Sequence, residues 1–252
     1  MLQHERRVAI LRRVRASGAT EVSELARSLG VSASTIRRDL AALGAEGTVR
    51  RVHGGVRVDD QADARLPFAA VVEVDPARKD AIGARAAATV QDGQSVLLDI
   101  GTTVRSMAQH LRGRPVTVLT SSLAVVDVLR DDPQVELIVL GGVVRRAYHS
   151  MVGLLTEDAL AQVHADRAFL GASGVRPDGR VLDSTRVEVP VKRAMLRAVD
   201  RAALLVDAHK FPGSGGLRVC DVGDLDLVVT NDDADPDTVA LCRERGVEVV
   251  FA

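Results

Sequence analysis

Gly101-Thr102-Thr103 sits between an apolar run, Ser95–Leu98, and a helical pattern that begins at Val104. A glycine and two hydroxyls at a helix start present backbone N–H groups, side-chain donors and the positive end of the helix dipole, which together suit a phosphate. Asp99 stands just before them. Four later apolar runs end in the same style. Thr120-Ser121-Ser122 closes Val116–Leu119, and Leu140-Gly141-Gly142, followed by Arg145 and Ser150, closes Val135–Leu140. Gly171-Ala172-Ser173-Gly174 closes Ala168–Leu170, and Asp207-Ala208-His209-Lys210 closes Ala203–Val206. Each is an ordinary loop when taken alone. Five on successive runs point to a small anionic ligand.

Lysine usage sharpens the set. Only three of the 33 basic residues are lysine: Lys79, Lys192 and Lys210. Where arginine serves nearly everywhere else, a lysine marks a place that needs a compact ammonium on a flexible stem. Glu188 and Lys192 stand four apart, the spacing of neighbours on one helix face. Read from the residues alone, they make a surface ion pair. No G-x-G-x-x-G follows the first run and there is no P-loop, so a dinucleotide or nucleotide cofactor is not expected.

The elements that must position these residues alternate. Besides the five runs above, Leu225–Val229 and Val247–Phe251 read as buried strands. Helical patterns fall near Pro76–Val90, Val104–Leu111, Leu123–Arg130, Thr156–Val163, Val187–Val199 and Pro236–Arg245. Such alternation argues a mostly parallel α/β sheet covered on both faces. These sheets bind ligands beyond the carboxyl ends of their strands.

The first sixty residues have a different character. In His4–Ser17, Ile10, Leu11 and Val14 form one apolar stripe, and Val22, Leu25, Ala26 and Leu29 form another that Gly30 ends. Ser32 is a good N-cap for a third helix with Ile36, Leu40 and Leu43 on its apolar side. Two short helices joined by Gly-Val-Ser make a helix-turn-helix. Ser34, Thr35, Arg37 and Arg38 lie off the stripe in the half that enters the major groove in such motifs, where arginine pairs with guanine edges or phosphates. Val49–Val58 alternates around Gly54-Gly55, a hairpin wing carrying Arg50, Arg51, Arg57 and His53. Residues 1–58 hold 11 basic and 5 acidic side chains, a net of +6, whereas residues 59–252 carry −7. A basic module on a larger acidic one suggests a polyanion partner at the N-terminal end.

Asp59–Pro67 is polar and ends in proline, which places a linker over 59–75 between a head, 1–58, and a body, 76–252. Cys220 and Cys242 lie apart with no histidine at metal spacing, so neither a metal site nor a disulfide framework is expected. No run approaches the roughly 18–20 apolar residues of a membrane span, and the N-terminus has no leader-like apolar region. A cytoplasmic protein without a membrane partner is the expectation. With no tryptophan, one tyrosine and four phenylalanines, single-strand binding by base stacking is disfavoured.

VSELARSLGVSASTIRRDLAALGAEGTVRRVHGGV resembles the winged helix-turn-helix of DeoR-type bacterial transcriptional regulators, whose TIRRDL and R-x-HGG runs it matches almost position by position. LLDIGTTV, TSSLAV, LGGVVRR, SMVG, FLGASG, EVPVKRAM and LLVDAHKF resemble the successive signatures of the C-terminal sensor domain of that family. The likeness covers residues 4–235. It implies a body similar in fold to ribose-5-phosphate isomerase, a phosphate held by Gly101, Thr102, Thr103, Ser121 and Ser122, and Lys210 approaching a sugar phosphate. It also implies that Glu188 and Lys192 line the same cleft, and all three lysines fall where the family pattern has lysine. With Asp99, Arg145 and Ser173 these form the expected effector set. Ser173 departs from the aspartate that the isomerases and many of the regulators carry.

The expectation is a repressor of a carbohydrate or polyol catabolic operon. It would bind double-stranded operator DNA as a homo-oligomer, dimer or tetramer, and be relieved by a phosphorylated sugar or polyol. Two alternatives stand beside it. An isomerase-like enzyme would use Glu188 as base and Lys210 as cation, but it would lack the acid at Ser173 and have no use for a DNA-binding head. The other is a DNA-binding oligomer that answers to no effector.

Overall fold

The computed structural model describes residues 6, 7, 9, 10, 13, 14, 20–45, 49–52, 55–58, 68–213 and 215–252. The chain divides into two compact units, Met1–Asp75 and Pro76–Ala252.

In the first unit α1 (Val22–Leu29) and α2 (Ala33–Ala45) are joined across Gly30, which takes φ 64 so that the chain can turn sharply out of α1. Ser32 caps α2, its Oγ accepting from the Thr35 amide at 3.2 Å. Strands β1 (Val49–Val52) and β2 (Gly55–Val58) form the antiparallel wing in the register Val49↔Val58 to Val52↔Gly55. Thr20 bonds Val56 in both directions at 3.0 Å. A Cβ on Gly55 would sit 2.6 Å from the Thr20 carbonyl oxygen, so this close approach requires glycine. Ile10, Val14, Leu25, Ile36, Leu40, Leu43, Val49 and Val56 make the core. Arg6, Arg7, Ala9, Ile10, Arg13 and Val14 are helical, and the rest of the expected first helix lies outside the described residues.

Part of the expected linker is helical. Residues 59–67 lie outside the described residues, but α3 (Phe68–Val72) falls inside the 59–75 range and buries Phe68 and Val71. Those two apolar residues were masked by the polar stretch before them.

The second unit is a doubly wound sheet of seven parallel strands. In chain order they are β3 (Ser95–Leu98), β4 (Thr117–Thr120), β5 (Glu136–Val139), β8 (Ala165–Leu170), β11 (Val199–Leu205), β13 (Leu227–Thr230) and β14 (Glu248–Phe251). In space they run β14-β13-β11-β8-β3-β4-β5. One apolar cluster packs α4 (Pro76–Ala87), α5 (Thr102–His110) and α6 (Leu123–Leu129) on Val96, Leu98, Val118, Phe169 and Leu205. The other packs α7 (Leu154–Leu160), α8 (Val189–Arg197) and α9 (Pro236–Glu244) on Leu97, Leu119, Ala168, Leu170 and Leu204. Alternate residues of each strand therefore serve opposite faces, which is why these strands read as continuous apolar runs. Each such side chain, fully buried, contributes about 1.5–3 kcal/mol. Strand order reverses between β3 and β8, and that reversal opens a crevice at their carboxyl ends.

Five short strands were not expected: the antiparallel ribbon of β6 (Val143–Arg145) and β7 (Ser150–Val152), and the small antiparallel sheet β12-β10-β9. The latter comprises β9 (Gly174–Val175), β10 (Arg180–Asp183) and β12 (Leu217–Asp221). Among the described residues no helix is long and apolar enough to cross a membrane, and no group of His, Cys, Asp and Glu is placed to hold a metal.

Candidate functional site

The crevice between β3 and β8 holds a buried charge network. Asp99 leaves β3 and accepts the Gly171 amide, at the end of β8, at 3.0 Å. Lys192, on α8, donates to the same Asp99 oxygen and to the Gly171 carbonyl at 2.9 Å, with Asp183 at 3.6 Å. Lys192 is 1% exposed and Glu188 3%, so in place of the surface ion pair expected from their spacing both are buried, Lys192 pairing with Asp99 and Glu188 with Arg145. Burial works against the lysine charge, but Asp99, Asp183 and Glu188 outweigh it and hold the ammonium protonated well above its usual range. Glu188, the residue before α8, accepts from Arg145 and, at 3.1 Å, from Ser150 Oγ. Burial pushes its carboxyl up to about 7, against the attraction of Lys192 and Arg145. Arg145 also lies over the Tyr148 ring at 5.1 Å.

Around this network the other strand ends assemble. Gly101 precedes α5 with φ 115 and gives it no side-chain cap; a Cβ there would meet nothing within 4 Å. Thr102 and Thr103 open the helix and are buried. On the neighbouring strand, Ser121 keeps its hydroxyl buried with no hydrogen-bond partner among the described residues. Ser122 is spent as the cap of α6, accepting from the Val125 amide at 3.3 Å. Main-chain bonds from Met151 to Ser121 and from Leu123 to His149, both 2.8 Å, fasten β7 beside that turn.

Past β8, Ser173 accepts from the Ser184 amide at 3.0 Å and ties together the open end of the β9–β10 hairpin, a structural duty in place of an acid. Lys210 donates to the Ala172 carbonyl at 2.7 Å. Burial works to raise the Asp207 carboxyl, but His209, Lys210 and Lys79 outweigh it and hold it below the usual carboxylate range. The Asp207 Oδ1 is buried and accepts no hydrogen bond among the described residues, His209 Nδ1 standing 3.6 Å away. The structure thus groups Asp99, Gly101, Thr102, Thr103, Ser121, Ser122, Arg145, Ser173, Glu188, Lys192 and Lys210 along one edge of the sheet. Asp183 and the Glu188 contact of Ser150 were not foreseen. Asp183 ends a strand, Arg-Val-Leu-Asp, that is charged at both ends and carries no apolar run, and Ser150 was noted only as a residue following a strand.

In the first unit Ser32, Ser34, Arg37 and Arg38 are exposed along the start of α2, and the hydroxyls of Ser34 and Thr35 each lie 2.8 Å from Ser32 Oγ. Asp39, from the same run, faces inward and takes Arg6 at 2.6 Å and Arg7 at 3.7 Å. Arg50 and Arg51 occupy β1. Their side chains and His53 lie outside the described residues.

Comparison with known proteins accounts for both units. Residues 6–62 match the DeoR-like helix-turn-helix domain and residues 75–232 the DeoR C terminal sensor domain. The putative aga operon transcriptional repressor of Escherichia coli O157:H7 is 30% identical over 250 residues, spanning 98% of this chain and 93% of its own. The glycerol-3-phosphate regulon repressor of Escherichia coli K12 is 29% identical over 232 residues, 92% of each chain. The ribose 5-phosphate isomerase A structure from Methanocaldococcus jannaschii overlaps 54% of each chain at 16% identity and a TM-score of 0.41, too slight to speak to activity. A helix-turn-helix head on an α/β sensor body defines a DNA-binding transcriptional regulator rather than an enzyme. The chain belongs to the DeoR family of such regulators.

Proposed function

We propose that this regulator represses a carbohydrate or polyol catabolic operon and is relieved by a phosphorylated sugar or polyol bound across the strand ends of its body. The observation that carries the reading is the uncapped start of α5 at Gly101 beside the partnerless Ser121 hydroxyl. Free amides at a helix N-terminus and a spare buried donor are what a phosphate group satisfies. At the far side, the buried Asp207 Oδ1, 3.6 Å from His209 Nδ1, takes a hydrogen bond from a sugar hydroxyl. β3 and β11 are two strands apart, so these ends stand about 10 Å apart, a span for one extended phosphorylated metabolite. Lys210 supplies charge between them, while Asp99, Lys192 and Glu188 hold the crevice in shape. The named regulon of one relative, glycerol-3-phosphate, is a phosphorylated polyol, which agrees with this chemistry.

The head reads operator DNA through Ser34, Thr35, Arg37 and Arg38 on α2, with Ser32 as their cap, and Arg50, Arg51 and His53 of the wing sequence contribute to the same contact. The ligand changes operator occupancy only by binding the two states of the protein unequally. Calorimetry of the full chain against phosphorylated sugars and polyols, each beside its unphosphorylated form, tests the ligand class. Thr102→Val should abolish the response to the compound that binds while operator affinity persists. Equal binding of phosphorylated and plain forms would remove the phosphate assignment.

A further inference from the structure

Six of the eight large apolar side chains exposed among the described residues fall in one stretch: Ile138, Val139, Val143, Val144, Leu154 and Leu155. Val143 is 68% exposed, Leu154 72% and Leu155 69%. They belong to three elements, β5, β6 and α7, with β7 between the last two. β5 is the outer strand of the large sheet, bonded only to β4. β6 is the outer strand of its ribbon, because β7 is the one fastened to the turn after β4. α7 starts against β6: a Cβ on Gly153 would lie 3.9 Å from Val143 Cγ2. Apolar surface gathered in this way is seldom left to water, and β5 carries neither the lysine nor the proline with which exposed edges are usually guarded.

Charge and symmetry decide what covers it. The body, residues 76–252, holds 21 basic and 24 acidic side chains, a net of −3, which offers DNA or an anionic lipid surface no attraction. The ridge itself holds both signs, exposed Arg146 just after β6 and Glu157 and Asp158 early in α7. A copy turned about a twofold axis sets the arginine of one against the acids of the other, and antiparallel pairing satisfies the free edges of identical strands. We propose that this ridge, from Ile138 to Leu155, is where a second copy of the chain docks, body to body. The inference deepens the effector reading and rests on it in one respect: β6 also carries Arg145 onto Glu188, so docking steadies one wall of the strand-end cluster.

The test is sedimentation of the full chain without DNA or effector. Wild type is expected as a dimer or larger. Leu154→Glu with Leu155→Glu, and separately Val143→Asp, should weaken self-association by at least about 100-fold with unchanged circular dichroism. Phe251→Glu on the opposite edge strand should leave the assembly intact. A monomeric wild type, ridge variants that keep wild-type mass, or dissociation by Phe251→Glu alone each overturns the proposal. Whether a phosphorylated compound shifts the melting temperature of wild type scores the effector reading separately.

Discussion

Lys192 gives the strand-end cluster its character, because an ammonium with almost no exposure survives only among carboxylates. Lys192→Met leaves Asp99, Asp183 and Glu188 facing one another without their common partner. Urea denaturation should show the body destabilised by about 3–5 kcal/mol. Glu188 makes a second prediction. It holds its proton to about pH 7 in the folded protein, against an ordinary value of 4.5. Its contribution to stability is therefore full below about pH 4.5 and is lost as pH rises through 7. Glu188→Gln should match wild type near pH 4.5 and gain on it by pH 8, by on the order of 3 kcal/mol in paired denaturation curves. An unchanging difference across that range contradicts the burial argument. The identities of both residues were legible from their spacing and from the scarcity of lysine. Their burial was not, since a four-residue spacing looks the same on a solvated helix and on one facing a sheet end. Ser173 shows the converse. It stood out by what it lacks, while its hydrogen bond to the Ser184 amide depends on the pairing of two short strands that carry no periodic signal.

The elements divide by composition. α1 and α2 were readable from their apolar stripes, and the seven parallel strands from their nearly continuous apolar runs, though five of them have only four residues. The ribbon β6–β7 and the strands β9, β10 and β12 have two to five residues each and owe their form to partners distant in sequence. Phe68–Val72 is five residues long and follows a polar stretch, so it passed as linker. In the head, the exposed face of α2 is the part predicted to matter for DNA. Arg37→Ala and Arg38→Ala should each cost about 1–3 kcal/mol of operator affinity, read by fluorescence anisotropy, with the body melting unchanged. Asp39→Ala should act differently. Its carboxylate is buried against Arg6 and Arg7, so its loss should lower the melting temperature of the head before it alters sequence preference.

At the scale of the molecule, the strand order places Asp99, Gly101 and Gly171 at the reversal between β3 and β8, where open α/β sheets bind their ligands. A basic head on an acidic body divides the work, one part meeting a polyanion and the other a small phosphorylated metabolite. The measurement that bears most directly on this account is fluorescence anisotropy of labelled DNA from upstream of the chain's own gene, titrated with the full protein against phosphorylated sugars and polyols. The account predicts that one phosphorylated compound weakens DNA binding several-fold, that its unphosphorylated form does nothing, and that Thr102→Val binds the DNA without responding. Tight DNA binding that ignores every phosphorylated compound contradicts it and leaves a DNA-binding oligomer without a phosphate effector.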